Sequence, residues 1–301
     1  MSQIYKQLIQ ELGFNRVKLD EPMKDHTNWK VGGSADLYLE TKTSQELIEA
    51  VQVAERLKIP YVILGLGANV LVGDKGIRGL VVVNKAQEVK FLSFGFIEID
   101  SGMSNAVLIK LTTDQRLSGL ERLIRVPGSL GGAIFMNAGD TAKQAFIGEL
   151  VRSVKVVDKN GVVRTLSPED CDFGYRHSRF QTSGEIIVSA KLQLKETIKS
   201  DIEEKVRDIL ERKRNQPMGA TAGSTFKNPP NNFAGKLIEE AGLKGKQIGE
   251  AKISEQHANF IVNTGNATAS DIKALIDLVK ERVKENSGVD LQEEIRYLGD
   301  F

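Results

Sequence analysis

The sequence predicts an α+β fold, divided into a two-lobed domain over residues 1–196 with its lobes split near 84, and a second α+β domain over 197–301. Three changes of texture predict it. Residues up to about 84 combine a capped helix with short apolar strands, alternating strand-like runs dominate from Phe91 to Leu194, and charged segments with helical spacing follow. A chain of 301 residues is too long for one ordinary core, and 41% hydrophobic residues are enough to fill two or three lobes.

The elements follow in order. Met1 to Gly13 is amphipathic, carrying Lys6 and Glu11. Thr43-Ser44-Gln45-Glu46 reads as a capping box, after which Leu47, Ala50, Val51, Ala54 and Leu57 hold helical spacing until Pro60. Tyr61 to Leu64 and Leu80 to Val83 read as short buried strands around a glycine-rich turn. In the second lobe Phe96-Ile97-Glu98-Ile99-Asp100 alternates, and Asp158-Lys159-Asn160-Gly161 closes a hairpin between Val154 to Val157 and Val162-Val163. The alternating run Ile186 to Leu194 ends that lobe, and a boundary near Thr197 fits the shift to charged residues. Ile202, Val206, Ile209 and Leu210 then make one apolar helical face. Ile272, Leu275, Ile276, Val279 and Val283 make another, with Ser270 as the cap.

Charge and cysteine content exclude several classes. With 41 basic and 40 acidic residues the formal net charge is +1, which supplies no global field for a nucleic-acid backbone or an anionic membrane. The single cysteine, Cys171, forms no intramolecular disulfide and no cysteine metal site, and fits a reducing compartment. The N-terminus lacks the apolar run and cleavage site of a signal peptide. The apolar stretch Tyr61 to Gly73 is too short to span a bilayer and is broken by Gly65, Gly67 and Gly73. A soluble cytoplasmic protein with no obligatory protein partner is expected.

Three segments carry chemistry. Gly65-Leu66-Gly67-Ala68-Asn69-Val70-Leu71 follows a strand and either cradles a phosphate on backbone N–H groups or forms a tight strand-to-strand turn. It is no Rossmann fingerprint, because Val70 stands where the third glycine belongs, and no P-loop occurs. Val126 to Ala133, running on to Met136-Asn137-Ala138-Gly139, is either a glycine-spaced helix start or a backbone open to a large flat or phosphorylated ligand. Two such loops in adjacent lobes favour a nucleotide cofactor between them. Ala222-Gly223-Ser224-Thr225-Phe226-Lys227-Asn228-Pro229 places one hydroxyl in a glycine-flanked turn near a lysine, an ordinary loop unless other segments join it.

These segments, with Thr27 to Gly33, Leu117 to Glu121, Tyr175-Arg176-His177-Ser178, Ala234 to Gly245, His257 to Asn263 and Glu294-Ile295-Arg296, resemble the UDP-N-acetylenolpyruvoylglucosamine reductase family in the family's own order. The resemblance covers nearly the whole chain. It implies an FAD-binding domain of the vanillyl-alcohol oxidase-like type followed by a substrate-binding domain, in the shorter subclass of the family. It further implies an NADPH-dependent, FAD-containing oxidoreductase that converts UDP-N-acetylglucosamine enolpyruvate to UDP-N-acetylmuramate in peptidoglycan synthesis. FAD is expected on Gly65, Gly67, Ala68, Asn69, Val70, Gly128, Ser129, Gly131, Gly132, Asn137 and Gly139.

The chemistry of that reaction can be set against the residues. Hydride addition to an enol ether conjugated with a carboxylate builds negative charge, which needs a fixed cation, and Arg176 meets the need with a planar guanidinium. By resemblance Ser224 is the proton donor, with Lys227 a candidate to stabilise its oxyanion, and Glu294 is the carboxyl that orients or protonates the developing enol. Asn228 and His257 match positions near the substrate; for His257 a purely structural role stays open. Neither His26 nor His177 has metal-motif spacing, and no metal is expected. Arg212, Lys213 and Arg214 either reach the substrate diphosphate or simply complement a helix C-terminus.

Several positions depart from the family pattern. Arg122 and Arg125 replace apolar and small residues, and either point outward or pair with a phosphate. Asp140-Thr141-Ala142-Lys143 replaces a small, aromatic and glycine run, and Ala68 replaces a serine. Two other functions remain open: an FAD-dependent oxidase of another carbohydrate or alcohol, and a non-catalytic flavin- or sugar-nucleotide-binding protein.

Overall fold

Thr43 caps its helix, but only half of the expected box forms: its Oγ1 accepts from the Glu46 amide at 3.1 Å, whereas the Glu46 carboxylate accepts from the Lys42 amide, at 2.7 Å, one residue before the cap. The helix so started, Ser44–Arg56, ends before Lys58, which takes a positive φ of 54°, and Pro60 prevents its continuation. In the computed structural model, which describes residues 1–301, the chain forms two compact units that alternate along the sequence. The first comprises Met1–Leu19, Leu37–Leu66 and Gly79–Lys213; the second comprises Asp20–Asp36, Gly67–Arg78 and Arg214–Phe301.

The first unit holds two cores. In one, the helices Gln3–Leu12 and Ser44–Arg56 bury Leu8, Leu12, Leu47 and Val51 against Leu37, Leu39, Leu80 and Val82 of the sheet. Tyr61–Leu64 pairs parallel with Leu80–Val83, so the connection between them is no hairpin; its glycine-rich part, Gly65 to Asn69, is a short link from Tyr61–Leu64 into the strand Val70–Val72. Parallel neighbours cannot be joined by a short hairpin loop. The second core lies on an antiparallel sheet ordered Val163–Leu166, Val151–Val157, Ile186–Gln193, Phe96–Asp100, Val89–Phe91. Alternation sends Ile97 and Ile99 inward beneath the helices Asn105–Asp114 and Leu130–Phe135. The expected hairpin is present, with Asp158 Oδ1 accepting from the Asn160 and Val162 amides at 2.8 and 3.0 Å.

The division expected near Thr197 meets no break in this unit, which continues through the helix Lys199–Arg212. Ile202 and Ile209 are buried there, while Lys205 Nζ donates to Ser118 Oγ at 2.8 Å. Leu210 is exposed, contrary to the expected face, because it lies one residue and about 100° around the helix from Ile209.

In the second unit a three-stranded antiparallel sheet, Gln247–Ile248, Ala251–Ile253 and Ile261–Asn263, packs with the helices Ala234–Glu240 and Ala269–Ser287 around Trp29, Phe226, Leu237 and Ile276. Trp29 is locked at both ends, donating from Nε1 to the Ile261 carbonyl and accepting at its carbonyl from Asn263 Nδ2, each at 2.8 Å. Val70–Val72 pairs parallel with Arg296–Leu298. The long helix buries the expected Ile272, Leu275, Ile276, Val279 and Val283, but its cap is Thr268 rather than Ser270. Thr268 and Asp271 form the reciprocal box at 3.0 and 2.9 Å, and Ser270 turns instead to Asp74, donating from Oγ at 2.6 Å. No helix is long and apolar enough to cross a membrane.

Candidate functional site

Within the first unit two glycine-rich loops remote in sequence meet. Gly128 has a φ of 119°, and the Ser129 that follows caps the helix Leu130–Phe135, accepting from the Gly132 amide at 3.4 Å. A Cβ on Gly65 would overlap Ser129 Oγ, so a glycine there is what lets the two loops touch. Gly131 is similarly confined, since an added Cβ would lie 3.0 Å from Ser101 Cβ, and its amide donates to the Ser101 carbonyl at 2.7 Å. Gly132 differs: its only near neighbour would be Ser129 Oγ at 3.7 Å, which leaves its backbone approachable. The segment is thus both a packed helix start and an open backbone surface.

Asn137 spends its carboxamide inside the protein. Its Nδ2 donates to the Gly174 carbonyl and its Oδ1 accepts from the Gly148 amide, both at 2.9 Å. A Cβ on Gly139 would overlap the Ala145 carbonyl oxygen, which explains the glycine without a ligand. Asn137 therefore orders the turn Gly174 to His177, in which Arg176 sits at a φ of 52°. The Arg176 guanidinium donates to Thr141 Oγ1 at 3.4 Å and lies 5.6 Å from the centre of the Tyr175 ring.

Arg122 neither points outward nor waits for a phosphate: it donates to the Gly119 and Phe146 carbonyls at 2.8 and 2.6 Å and pairs with Glu149 at 2.7 Å. Asp140 is buried and receives Arg212 through two hydrogen bonds, at 2.6 and 3.3 Å. Burial alone would raise the Asp140 carboxyl, but Arg212 outweighs it and holds the group below its ordinary value. Lys213 Nζ donates to the Ile124 carbonyl at 3.0 Å. Burial lowers the pKa of its ammonium, Asp140 opposes the shift, and Arg176, Arg212 and Arg125 add to it. Arg212 and Lys213 thus both act on the Asp140 carboxylate, and Arg176 and Arg125 lie near enough to Lys213 to disfavour its charge, a local excess of positive charge suited to an anionic ligand.

The second unit contains the remaining candidates. Gly67, at a φ of 62°, has no room for a Cβ, which would overlap the His26 carbonyl oxygen. Ala68 is buried, and Val70 opens a strand opposite Arg296. Asn69 Nδ2 donates to the Glu294 carbonyl, and the Asn69 carbonyl accepts from the Arg296 amide, both at 3.0 Å. The loop expected to hold the cofactor is thereby tied to the segment carrying Glu294.

Ser224 to Lys227 runs between two other segments and is not an ordinary loop. On one side Ser224 bridges Phe260, and the Thr225 amide donates to the Asn259 carbonyl at 2.8 Å. On the other, the Glu294 amide donates to the Thr225 carbonyl and the Lys227 amide to the Gln292 carbonyl, both at 2.8 Å. Glu293, beside Glu294, pairs with Lys280 at 2.8 Å. Gly223, with a φ of 81°, has no atom within 4 Å of where a Cβ would sit, leaving open space beside Ser224. Asn228 Oδ1 accepts from the Ala234 amide at 3.1 Å, at the start of the helix Ala234–Glu240.

His257 Nδ1 accepts from the Asn259 amide at 3.2 Å, which puts the proton of the neutral ring on Nε2. Its ring meets Phe260 edge-on at 4.9 Å, and burial lowers its pKa. Sequence reasoning missed Asn259 and Thr141. An asparagine within the His257 to Asn263 motif was visible, but its partner, Phe226, is a backbone group that no local pattern identifies.

A family profile described as UDP-N-acetylenolpyruvoylglucosamine reductase, C-terminal domain, matches residues 214–298, and one described as FAD binding domain matches 35–167. The UDP-N-acetylenolpyruvoylglucosamine reductase of Clostridium kluyveri is 41% identical over 296 residues, covering 96% of this chain and 95% of the relative. The crystal structure of the reductase of that name from Thermus caldophilus superposes with a TM-score of 0.81 at 34% identity, over 94% of this chain and 98% of that one. A 4-ethylphenol oxidase from Gulosibacter chungangensis, at 14% identity and a TM-score of 0.50 over 97% of this chain and 65% of its own, shares the fold.

Proposed function

Because the chain belongs to the UDP-N-acetylenolpyruvoylglucosamine reductase family, we propose that it uses NADPH and FAD to reduce UDP-N-acetylglucosamine enolpyruvate to UDP-N-acetylmuramate in peptidoglycan synthesis. It is an FAD-binding oxidoreductase of that family. The observation that carries the reading is the hydrogen bond from the Glu294 amide to the Thr225 carbonyl, which sets the backbones of the two candidate proton-handling residues, Ser224 and Glu294, on neighbouring segments.

The first unit suits a flavin nucleotide: Gly65 and Ser129 bring two loops together, and Gly132 offers backbone with no side chain in the way. Gly128, Ser129 and Gly132 are the residues of this unit proposed to hold FAD; Asn137 serves by ordering backbone, since its carboxamide is engaged at both ends. FAD, when bound, supplies the hydride that it has taken from NADPH.

This chain's own residues do the rest. Arg176 takes the enolpyruvyl carboxylate, and the neighbouring cations favour the charge that builds there. Ser224 gives a proton to the carbon left electron-rich by the addition, with Lys227 stabilising the alkoxide. Glu294 orients the developing enol, and Asn228 and His257 bind the sugar nucleotide.

The test is anaerobic stopped-flow absorbance. The flavin is reduced with NADPH, and the enolpyruvyl sugar nucleotide is then added. Substrate-dependent reoxidation with formation of the lactyl product is expected. Reoxidation by oxygen alone overturns the reading in favour of an oxidase.

A further inference from the structure

We propose that Asn259 is the positioning residue for proton delivery by Ser224, holding the Ser224 to Lys227 segment in place through its side-chain carboxamide. The inference rests on the proposed role of Ser224.

The geometry is specific. Asn259 Oδ1 accepts from the Phe226 amide at 2.9 Å, and Asn259 Nδ2 donates to the Phe226 carbonyl at 2.8 Å. Neighbouring backbone satisfies the groups of Thr225, through the Asn259 carbonyl and the Glu294 amide, and the Lys227 amide, through the Gln292 carbonyl. The two groups of Phe226 are served by a side chain that imitates a strand residue. Phe226 is 1% exposed and Asn259 4%, so water does not compensate for a lost bond. Asn259 is itself oriented, because its amide donates to His257 Nδ1 at 3.2 Å.

A carboxamide is required because it presents one acceptor and one donor in a plane. An ionised carboxylate accepts from the Phe226 amide but opposes the Phe226 carbonyl; a protonated carboxyl restores the donor. Asn259→Asp therefore imitates the native residue only when protonated, and burial favours that form. The titratable groups on the packed segments are His257, Lys227, Glu293 and Glu294, all present in the unmodified protein, so a ratio of rates removes their titration.

The experiment follows flavin reoxidation by the enolpyruvyl sugar nucleotide after anaerobic NADPH reduction, in the holoenzyme and in Ser224→Ala, Asn259→Asp and Asn259→Leu. A displacement on the order of 1 Å costs about 100-fold in rate, and a slowing of that size is expected in Asn259→Leu, with flavin content and the NADPH reduction step preserved. The ratio of Asn259→Asp to wild type is expected to rise towards one as pH falls from about 8 to about 6. Reoxidation undiminished in Ser224→Ala overturns the Ser224 role and this proposal with it. Reoxidation slowed in Ser224→Ala but normal in Asn259→Leu overturns the proposal alone, as does an Asn259→Asp ratio that does not change with pH.

Discussion

Gly65 and Ser129 press together so closely that a Cβ on Gly65 would overlap Ser129 Oγ and stand 3.0 Å from Ser129 Cβ. Gly65→Ala is expected to destabilise the first unit by about 1–3 kcal/mol through overpacking. Gly132→Ala is the contrast, because its Cβ would enter open space within a helix. It is expected to raise the melting temperature of the flavin-free protein, by up to about 1 kcal/mol in stability, yet to lower flavin content. Thermal melts and flavin absorbance measured on both variants check the pair.

Asp74 accepts from the Ala269 and Ser270 amides at 2.8 and 2.9 Å, at the N-terminus of the helix Ala269–Ser287. Asp74→Ala is expected to cost about 1–2 kcal/mol, the scale of a lost cap assisted by the helix dipole. Burial pushes its carboxyl up, but Ser270 and the two amides prevail and hold it below its ordinary value. A depressed carboxylate stabilises above the unfolded value and loses that contribution as pH falls through the folded one. The difference in denaturation midpoint between wild type and Asp74→Ala should therefore close in acid, which denaturant titrations at several pH values would show.

The Arg212 and Asp140 pair is asymmetric, with the Asp140 side chain 5% exposed and that of Arg212 31%. Removing the arginine strands a buried carboxylate, while removing the carboxylate leaves a cation that still has Asp208 at 3.4 Å. Arg212→Gln is therefore expected to cost more than Asp140→Asn, by about 2 kcal/mol or more at neutral pH. Without Arg212, burial raises the Asp140 carboxyl, so the Arg212→Gln deficit should shrink as pH falls into the acid range where the stranded carboxyl takes up a proton. Equal losses in the two variants, measured by chemical denaturation, would contradict this.

His257 gives a different pH signature. Burial lowers its pKa from 6.5, so below that value the unfolded chain takes up a proton that the folded protein resists. Stability should fall as pH drops from about 6.5, and His257→Gln should flatten that part of the profile. Melting temperatures at closely spaced pH values between 5 and 7.5, on the order of half a unit apart, resolve the slope.

Features that depend on residues a few positions apart could be read before any fold was known, as could the ordered motifs that identify the family. The Thr43 cap, the inward Ile97 and Ile99, the hairpin at Asp158 and the apolar stripe of the last long helix all belong there, because capping, alternation and helical spacing are local. Ser270 shows the limit: it had the chemistry of a cap, but Asp74 supplied a better partner for its hydroxyl, and Thr268 took the role. Long-range packing, by contrast, sets Arg122 on Glu149 and two carbonyls, brings Asn69 to the Glu294 backbone, and lets Asn259 bracket Phe226. Buried polar groups must find partners, and which ones they find depends on the segments that packing brings alongside.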